Sequence, residues 1–284
     1  WWFTVWQPDC IMDQEAERAL GEADDQLLRN HAGCWLLNPY DAWHGFEGIE
    51  EGYAMLDPIK VTILTPGIRP GGGMEDRGIP AGIVTKYLRE SGIVVEKTGY
   101  YSFLVLFTLG ITKGKSGTLL AELFRFKALY DRNSALEEVF PDLVRKYPAR
   151  YAGRGLADLC QEMHGYLRDE SITDIVRQVY AALPEPVMTP AEAYRRLVRG
   201  EVTAVPASEI GGRTVAVMVV PYPPGIPVIM PGERCGPATR AIVDHLVSLQ
   251  EFDTRFPGFE NEVHGVDVAT RDGRRVYYIY CVAE

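Results

Sequence analysis

Few residues of this chain have the types and spacing that catalysis needs. The five histidines, at positions 31, 44, 164, 245 and 264, show no HxH or HxxxH pattern, and the five cysteines form no CxxC pair. Since such spacings bring ligands to one metal ion, the sequence predicts no metal site. It contains no GxSxG elbow, and Gly71-Gly72-Gly73 lacks the lysine and the spacing of a phosphate-binding loop. We interpret these glycines as a flexible loop.

His245 is the histidine whose surroundings the sequence defines best. It lies on the apolar stripe of a predicted helix, together with Ile242, Leu246 and Leu249. A histidine at such a position is more often a core residue with satisfied hydrogen bonds than a metal ligand. We therefore expect a structural role for His245.

One short stretch combines opposite charges with a turn. Glu96, Lys97 and Thr98 precede Gly99, between two strand-like runs. The ends of strands in α/β layers commonly carry site residues. A carboxylate next to an ammonium can orient a charged substrate, or it can form a solvated ion pair. Both interpretations stay open on the residues alone.

A proline-rich segment at 221–232 is the second candidate site, and it is followed directly by Glu233. A rigid loop holds backbone groups at low entropic cost, which suits the wall of a site and a structural corner equally well. The candidate wall residues are Tyr222, Gly225 and Glu233.

The elements that must position these residues alternate between strands and helices in the first half of the chain. We predict strands at 59–65, 93–97 and 102–109, and helices at 80–90 and 115–131. This order is typical of a small α/β layer. Ser134 and Glu137 have the spacing of a capping box, which predicts a further helix start.

The second half of the chain is predicted to mix helices with a terminal hairpin. We predict helices at 156–168, 172–183, 190–199 and 238–252, and strands at 214–220, 263–270 and 275–282. Asp272-Gly273 is the expected hairpin turn. Prolines should keep 221–227 out of any helix or strand ladder.

Pro148 and the glycines at 153 and 155 indicate a domain boundary near 150. The predicted fold class is therefore α/β (α+β), with a small α/β domain at 1–150 and a mixed α+β domain at 151–284.

Composition excludes several classes of partner. The chain has 284 residues and a net charge of −10, which disfavours binding to nucleic acid. No apolar run reaches the roughly 18 residues of a membrane span. The scattered cysteines predict reduced, mostly buried thiols and favour a cytoplasmic location.

Residues 1–6 contain no initiator Met and no secretory signal, so we expect a fragment of a longer protein, made by deliberate truncation or by proteolysis.

Several ordered segments resemble the bacterial ornithine/lysine/arginine decarboxylases, which are fold-type-I pyridoxal-phosphate enzymes. The similar segments are Trp43-His44-Gly45-Phe46, Leu56-Asp57-Pro58-Ile59-Lys60-Val61, Thr65-Pro66-Gly67, Gly92-Ile93-Val94-Val95-Glu96-Lys97-Thr98-Gly99, Leu106-Phe107, Gly110-Ile111-Thr112-Lys113-Gly114-Lys115, Pro221-Tyr222-Pro223-Pro224-Gly225-Ile226-Pro227, Pro231-Gly232-Glu233 and Phe256-Pro257-Gly258-Phe259-Glu260. They extend over the whole chain.

The resemblance implies that 1–150 is a small aminotransferase-like domain and that 151–284 is the family's C-terminal domain. In the family, the lysine that holds pyridoxal phosphate lies in a Ser-x-His-Lys context in a preceding large domain. None of the seven lysines here has that context. The resemblance therefore implies that the cofactor is bound by the missing large domain, that this chain contains no catalytic residue, and that it is inactive alone.

For the full-length protein, the resemblance implies α-decarboxylation of a basic amino acid to CO₂ and an amine, in acid stress and polyamine supply. Lysine is the first choice of substrate, followed by arginine and ornithine. Glu96, Lys97 and Thr98 would line the substrate cleft, with Glu96 meeting the distal cation of the substrate.

The family also implies a homodimer, and a decamer for the full-length protein through the missing N-terminal domains. The fragment itself is expected to form at most dimers. A non-catalytic oligomerisation or regulatory module is the alternative.

Overall fold

The structure, a computed structural model, describes residues 2–13, 16–69 and 73–283. It divides into two compact units, Trp1–Ser134 and Ala135–Glu284. Both units contain helices and strands, which confirms the predicted α/β (α+β) class. Gly71 and Gly72 of the predicted glycine loop lie outside the described residues.

The first unit contains a four-stranded antiparallel sheet in the order β1-β6-β8-β7, with helices beside it. Its strands are β1 (Thr4–Val5), β2 (Cys10–Asp13), β3 (Ala16–Ala19), β4 (Leu36–Leu37), β5 (Ala54–Met55), β6 (Lys60–Leu64), β7 (Lys97–Thr98) and β8 (Ser102–Leu106), and its α-helices are α1 (Asp25–Asn30), α2 (Ala81–Glu90) and α3 (Lys113–Asp131). Helix α2 packs against α3, β7 and β8.

The central pair of this sheet follows from the β-branched run that begins at Lys60. Ile63 and Phe103 are opposite each other in the β6–β8 ladder, and both are buried. The strand ends before Gly67, whose φ of +132° and close approach to the Tyr101 ring require glycine. The predicted strand at 93–97 is much shorter than expected, because only Lys97–Thr98 pairs with β8.

The second unit packs helices against a three-stranded antiparallel sheet in the order β10-β15-β14. Its helices are α4 (Leu136–Val139), α5 (Pro141–Lys146), α6 (Pro148–Tyr151), α7 (Leu156–Asp169), α8 (Ile172–Ala181), α9 (Pro190–Val198) and α10 (Arg240–Arg255), and its strands are β9 (Glu185–Pro186), β10 (Val202–Pro206), β11 (Val220–Tyr222), β12 (Glu233–Arg234), β13 (Glu262–His264), β14 (Asp267–Arg271) and β15 (Arg274–Val282). Helix α10 packs on β15 and α8 around a core that includes Ile242, Leu246 and Ile279.

Residues 135–150, which the sequence prediction assigned to the first domain, belong to the second unit. The backbone N–H of Leu136 donates to the carbonyl of Arg154 at 2.8 Å. The Glu137 carboxylate accepts the N–H of Gly153 at 2.7 Å, which holds its pKa below the usual range. The predicted capping box is therefore wrong: Ala135 is the N-cap of α4, and Glu137 bonds to the start of another segment.

The prolines at 221–227 do not exclude the whole segment from a ladder. Strand β11 contains Pro221 and pairs with β13, a two-stranded arrangement in which a missing N–H is tolerated. The residues at 214–219, predicted as a strand, form only isolated bridges. The terminal hairpin is confirmed, because Asp272 and Gly273 both adopt positive φ between β14 and β15.

The thiols agree with the prediction of buried, reduced cysteines. Cys10 is exposed, and the other four cysteines are buried. Within the described residues, no helix is both long and apolar enough to cross a membrane.

Candidate functional site

Glu96, Lys97 and Thr98 lie along the edge of the four-stranded sheet. Strand β7 is the last strand of that sheet, and the Glu96 N–H donates to the Leu104 carbonyl at 2.9 Å. Side chains alternate along an extended strand, so Lys97 and Thr98 of β7 point to opposite faces, whereas Glu96 lies in the bend before the strand. Glu96 and Lys97 are both exposed.

Thr98 is the best-anchored of the three residues. Its hydroxyl lies 3.2 Å from the hydroxyl of Thr85, which connects β7 to α2. The following turn is tight, because the Gly99 N–H donates to the Ser102 carbonyl at 2.7 Å. This geometry fixes the backbone on either side of Thr98 and leaves the Glu96 carboxylate exposed at the sheet edge.

In the second unit, Tyr222 and Gly225 form one packed corner. The Gly225 N–H donates to the Pro221 carbonyl at 2.8 Å, and φ at Gly225 is +83°. A Cβ at position 225 would lie 2.5 Å from the Tyr222 ring. Only glycine therefore fits beneath this aromatic side chain.

Glu233, the third predicted wall residue, closes its own turn. Its carboxylate accepts the N–H of Met230 at 2.7 Å. Glu233 pairs with Pro186 between β12 and β9, whereas Tyr222 belongs to the separate β11–β13 pair. The structure thus gives Glu233 a local structural contact and brings Tyr222 together with Gly225.

The sequence analysis missed two polar neighbours of Tyr222. The His264 ring lies 5.0 Å from the Tyr222 ring, at an interplanar angle of 39°. His264 Nε2 lies 2.8 Å from Glu262 Oε1. The Glu-Val-His alternation of β13 places both side chains on one face, and this pattern was the signal available in the sequence.

A buried polar network joins α10 to β15 in the same unit. The Asp253 carboxylate accepts hydrogen bonds from Tyr277 and from the backbone and side chain of Asn261. Burial raises the pKa of Asp253, although these donors oppose the shift. This network holds the end of the chain in place.

A second polar cluster surrounds Glu162 on α7. Its carboxylate contacts Arg150, Arg154 and Arg255, and the Arg150 Nη2–Glu162 Oε1 distance is 2.9 Å. Burial alone would raise the pKa of Glu162, but the arginines outweigh it and hold that pKa below its usual range. The cluster connects α6, α7 and α10.

Two family models match this chain on either side of its middle. Residues 1–115 match the major domain of the Orn/Lys/Arg decarboxylases, and residues 173–283 match their C-terminal domain. The chain belongs to the Orn/Lys/Arg decarboxylase family.

Named relatives within this family agree along the whole chain. Lysine decarboxylase LdcA of Pseudomonas aeruginosa is 49% identical over 284 residues, which are 100% of this chain and 36% of the relative. The biodegradative arginine decarboxylase of Escherichia coli is 39% identical, over 99% of this chain and 37% of the relative. The chain therefore spans a little over a third of the length of the decarboxylases it matches.

Solved structures of this decarboxylase family share the fold. Lysine decarboxylase A from Pseudomonas aeruginosa matches with a TM-score of 0.88 at 49% identity, over 99% of this chain and 36% of that chain. The constitutive lysine decarboxylase of E. coli matches with a TM-score of 0.86 at 38% identity, over 99% of this chain and 37% of that chain.

The lysines of this chain do not fit a covalently held pyridoxal phosphate. Such a site needs a desolvated lysine beside groups that hold a phosphate and a ring nitrogen. None of the seven lysines is buried, and Lys60 and Lys127 form surface ion pairs with nearby aspartates. The described residues also contain no group of His, Cys, Asp and Glu side chains that could hold a metal ion.

Proposed function

We propose that this chain is part of a pyridoxal-phosphate-dependent decarboxylase that converts a basic amino acid to its amine and CO₂. The observation that carries the proposal is the 49% identity with a lysine decarboxylase along the entire chain. The arginine enzyme and the inducible ornithine decarboxylase of E. coli are 39% and 36% identical, and the constitutive and inducible lysine decarboxylases of E. coli are 39% and 40% identical. Lysine is the first choice of substrate because of the LdcA match, and arginine and ornithine follow.

The two units would divide the work of the full-length enzyme. We assign the first unit, Trp1–Ser134, to a small aminotransferase-like portion of the family's major domain and the second unit, Ala135–Glu284, to the C-terminal domain. Pyridoxal phosphate would be bound by a large domain of the longer protein. This assignment is supported by the absence of a buried lysine among the seven, and it implies that the chain alone is inactive.

The role of the first unit would be to complete the substrate cleft. Glu96 presents an exposed carboxylate from the bend before β7, where its backbone N–H donates to the Leu104 carbonyl. A carboxylate in such a position can accept a charge-assisted hydrogen bond from the distal ammonium of lysine. Thr98 would line the same cleft, and Lys97 would act from the opposite side of β7.

The proposed enzyme would operate in the cytoplasm, where thiols stay reduced, and it would work as a homodimer or a larger assembly. A non-catalytic oligomerisation module is the second candidate. Ile59 and Leu109, which are both exposed and line one surface cavity with Phe107, favour it because another surface could cover them.

The test compares this chain with the longer polypeptide. Each is incubated with pyridoxal phosphate, reduced with borohydride and analysed by intact mass and peptide mapping, and decarboxylation of lysine, arginine and ornithine is assayed in parallel. We expect no stoichiometric labelling of the chain, and lysine decarboxylation by the longer protein. Labelling of one lysine in this chain would overturn the assignment of the cofactor. A longer protein with no decarboxylase activity would favour the oligomerisation module.

A further inference from the structure

We propose that Tyr222, Glu262 and His264 form a subsite in the second unit that binds a primary alkylammonium group. The choice of ligand rests on the proposed function, because a basic amino acid and its amine product both carry such a group. The subsite itself rests on the geometry of the β11–β13 pair.

The three side chains share one face of this pair. Tyr222 is directly opposite Glu262 in the antiparallel register, and His264 follows two residues later on the same side. The two rings lie 5.0 Å apart, and the His264 Nε2–Glu262 Oε1 distance is 2.8 Å. A carboxylate therefore lies beside two neighbouring aromatic rings.

This combination suits an alkylammonium ion. The carboxylate supplies a charge-assisted acceptor, and the Tyr222 ring supplies a face for a cation–π contact and for the alkyl chain. His264 occupies Oε1 of Glu262, and within the described residues Oε2 accepts no hydrogen bond. The Glu262 and His264 side chains are 73% and 55% exposed, so a ligand can reach them from solvent.

Two glycines hold the subsite in a fixed shape. Gly225 lies beneath the Tyr222 ring, as described above. Gly265 follows His264 with a φ of +84°, and a Cβ there would lie 2.0 Å from the Met218 carbonyl oxygen. Gly265 thus lets β13 approach the chain that leads into β11, and Gly225 supports the Tyr222 ring. A ligand would meet side chains that are already positioned, which lowers the entropic cost of binding.

An exposed ion pair between Glu262 and His264 could also be a surface contact without a ligand. Such pairs contribute little to stability. The subsite predicts a difference that a surface contact does not: loss of the Glu262 charge should weaken amine binding while the chain stays folded.

The experiment uses this chain with isotope-labelled histidine and follows the imidazole signals by NMR during titration with butylamine. His264→Gln assigns the signal. We expect a saturable shift of the His264 signal, no shift with butanol, and affinity weakened at least about tenfold in Glu262→Gln. Tyr222→Leu should also weaken binding.

Asp272→Asn is the matched control, since it removes one negative charge from an exposed turn of the same unit and suits the left-handed backbone there. It should bind butylamine like the wild type. An unsaturable shift, or equal affinity in Glu262→Gln and wild type, would overturn the subsite. Neither result depends on decarboxylation, so the proposed function is tested separately by the assay of the longer protein.

Discussion

The phenolic oxygen of Tyr277 lies 2.5 Å from Oδ2 of Asp253, and both side chains are buried. Tyr277 is on β15 and Asp253 is on the last turns of α10. Burial and the neighbouring carboxylate both raise the pKa of Tyr277, so its hydroxyl stays a donor at physiological pH. Together with the bonds from the backbone N–H groups of Arg275 and Tyr277 to side chains of α10, this hydrogen bond connects the helix to the central strand of the sheet.

Tyr277→Phe should destabilise the chain by about 1 to 3 kcal/mol, because the buried Asp253 carboxylate loses a donor. Urea unfolding monitored by circular dichroism measures the free energy. Tyr278→Phe is the matched control on the same strand, since the Tyr278 hydroxyl is buried and has no hydrogen-bond partner among the described residues. Removal of the Tyr278 hydroxyl should change the free energy of unfolding little. Equal destabilisation by the two changes would contradict the role of the Asp253–Tyr277 bond.

His245 should make the second unit sensitive to acid. Burial lowers the pKa of His245 to about 4, below the roughly 6.5 of an unfolded chain. Between these two pKa values the unfolded state binds more protons than the folded state. The free energy of unfolding therefore falls as pH decreases from about 6.5 to about 4, by up to about 3 kcal/mol. His245→Leu should flatten this part of the pH dependence of urea unfolding.

The control for His245 is His264→Gln, which removes an exposed imidazole. The wild-type decline in stability should persist in that variant. If the stability of the His245→Leu variant falls with acid as steeply as that of the wild type, the acid sensitivity has another source.

Glu162 should stabilise the second unit through its arginine contacts. Glu162→Gln removes the carboxylate that contacts Arg150 and Arg154. We expect the free energy of unfolding to fall by about 1 to 2 kcal/mol, because the Glu162 side chain is only 24% exposed. Because the folded pKa of Glu162 is lowered, its contribution is present above the unfolded pKa and disappears as pH falls through the folded pKa.

The comparison variant for Glu162 is Asp142→Asn, which breaks an exposed ion pair with Arg145 on α5. Thermal unfolding should barely change in that variant. A Glu162→Gln protein as stable as Asp142→Asn would show that the cluster contributes nothing measurable.

Glu96→Gln in the longer protein should lower kcat/KM for lysine at least about tenfold, because the distal ammonium loses a charged acceptor. Steady-state decarboxylation assays measure this. Glu90→Gln, on α2 of the same unit, removes a carboxylate that pairs with Lys86 and should leave kcat/KM near the wild-type value. Unchanged kinetics in Glu96→Gln would remove Glu96 from the proposed cleft.

Local patterns predicted the elements whose structure depends on nearby residues. The Asp272-Gly273 turn fixes its hairpin because both positions take positive φ. Helix α10 follows from the apolar stripe that contains Ile242 and Leu246. The prediction for His245 was only partly right: the residue is buried, but its Nδ1 has no hydrogen-bond partner among the described residues.

Contacts between distant residues could not be predicted in this way. Ser134 and Glu137 have the spacing of a capping box, but the Glu137 carboxylate bonds to Gly153 instead, and this contact also places α4 in the second unit. Glu262 and His264 were missed because Tyr222 meets them through strand pairing across forty residues of sequence. Resemblance indicated the family, and only the fold showed which side chains meet.

The distribution of thiols gives the chain one natural attachment point. Cys10 is exposed, whereas the other four cysteines are buried, and burial raises the pKa of Cys235 and Cys281 to about 11. A maleimide dye added to the native protein should therefore couple to a single position on β2. The first unit can thus carry a fluorescent reporter without any engineered residue, and its unfolding can be followed separately from that of the second unit.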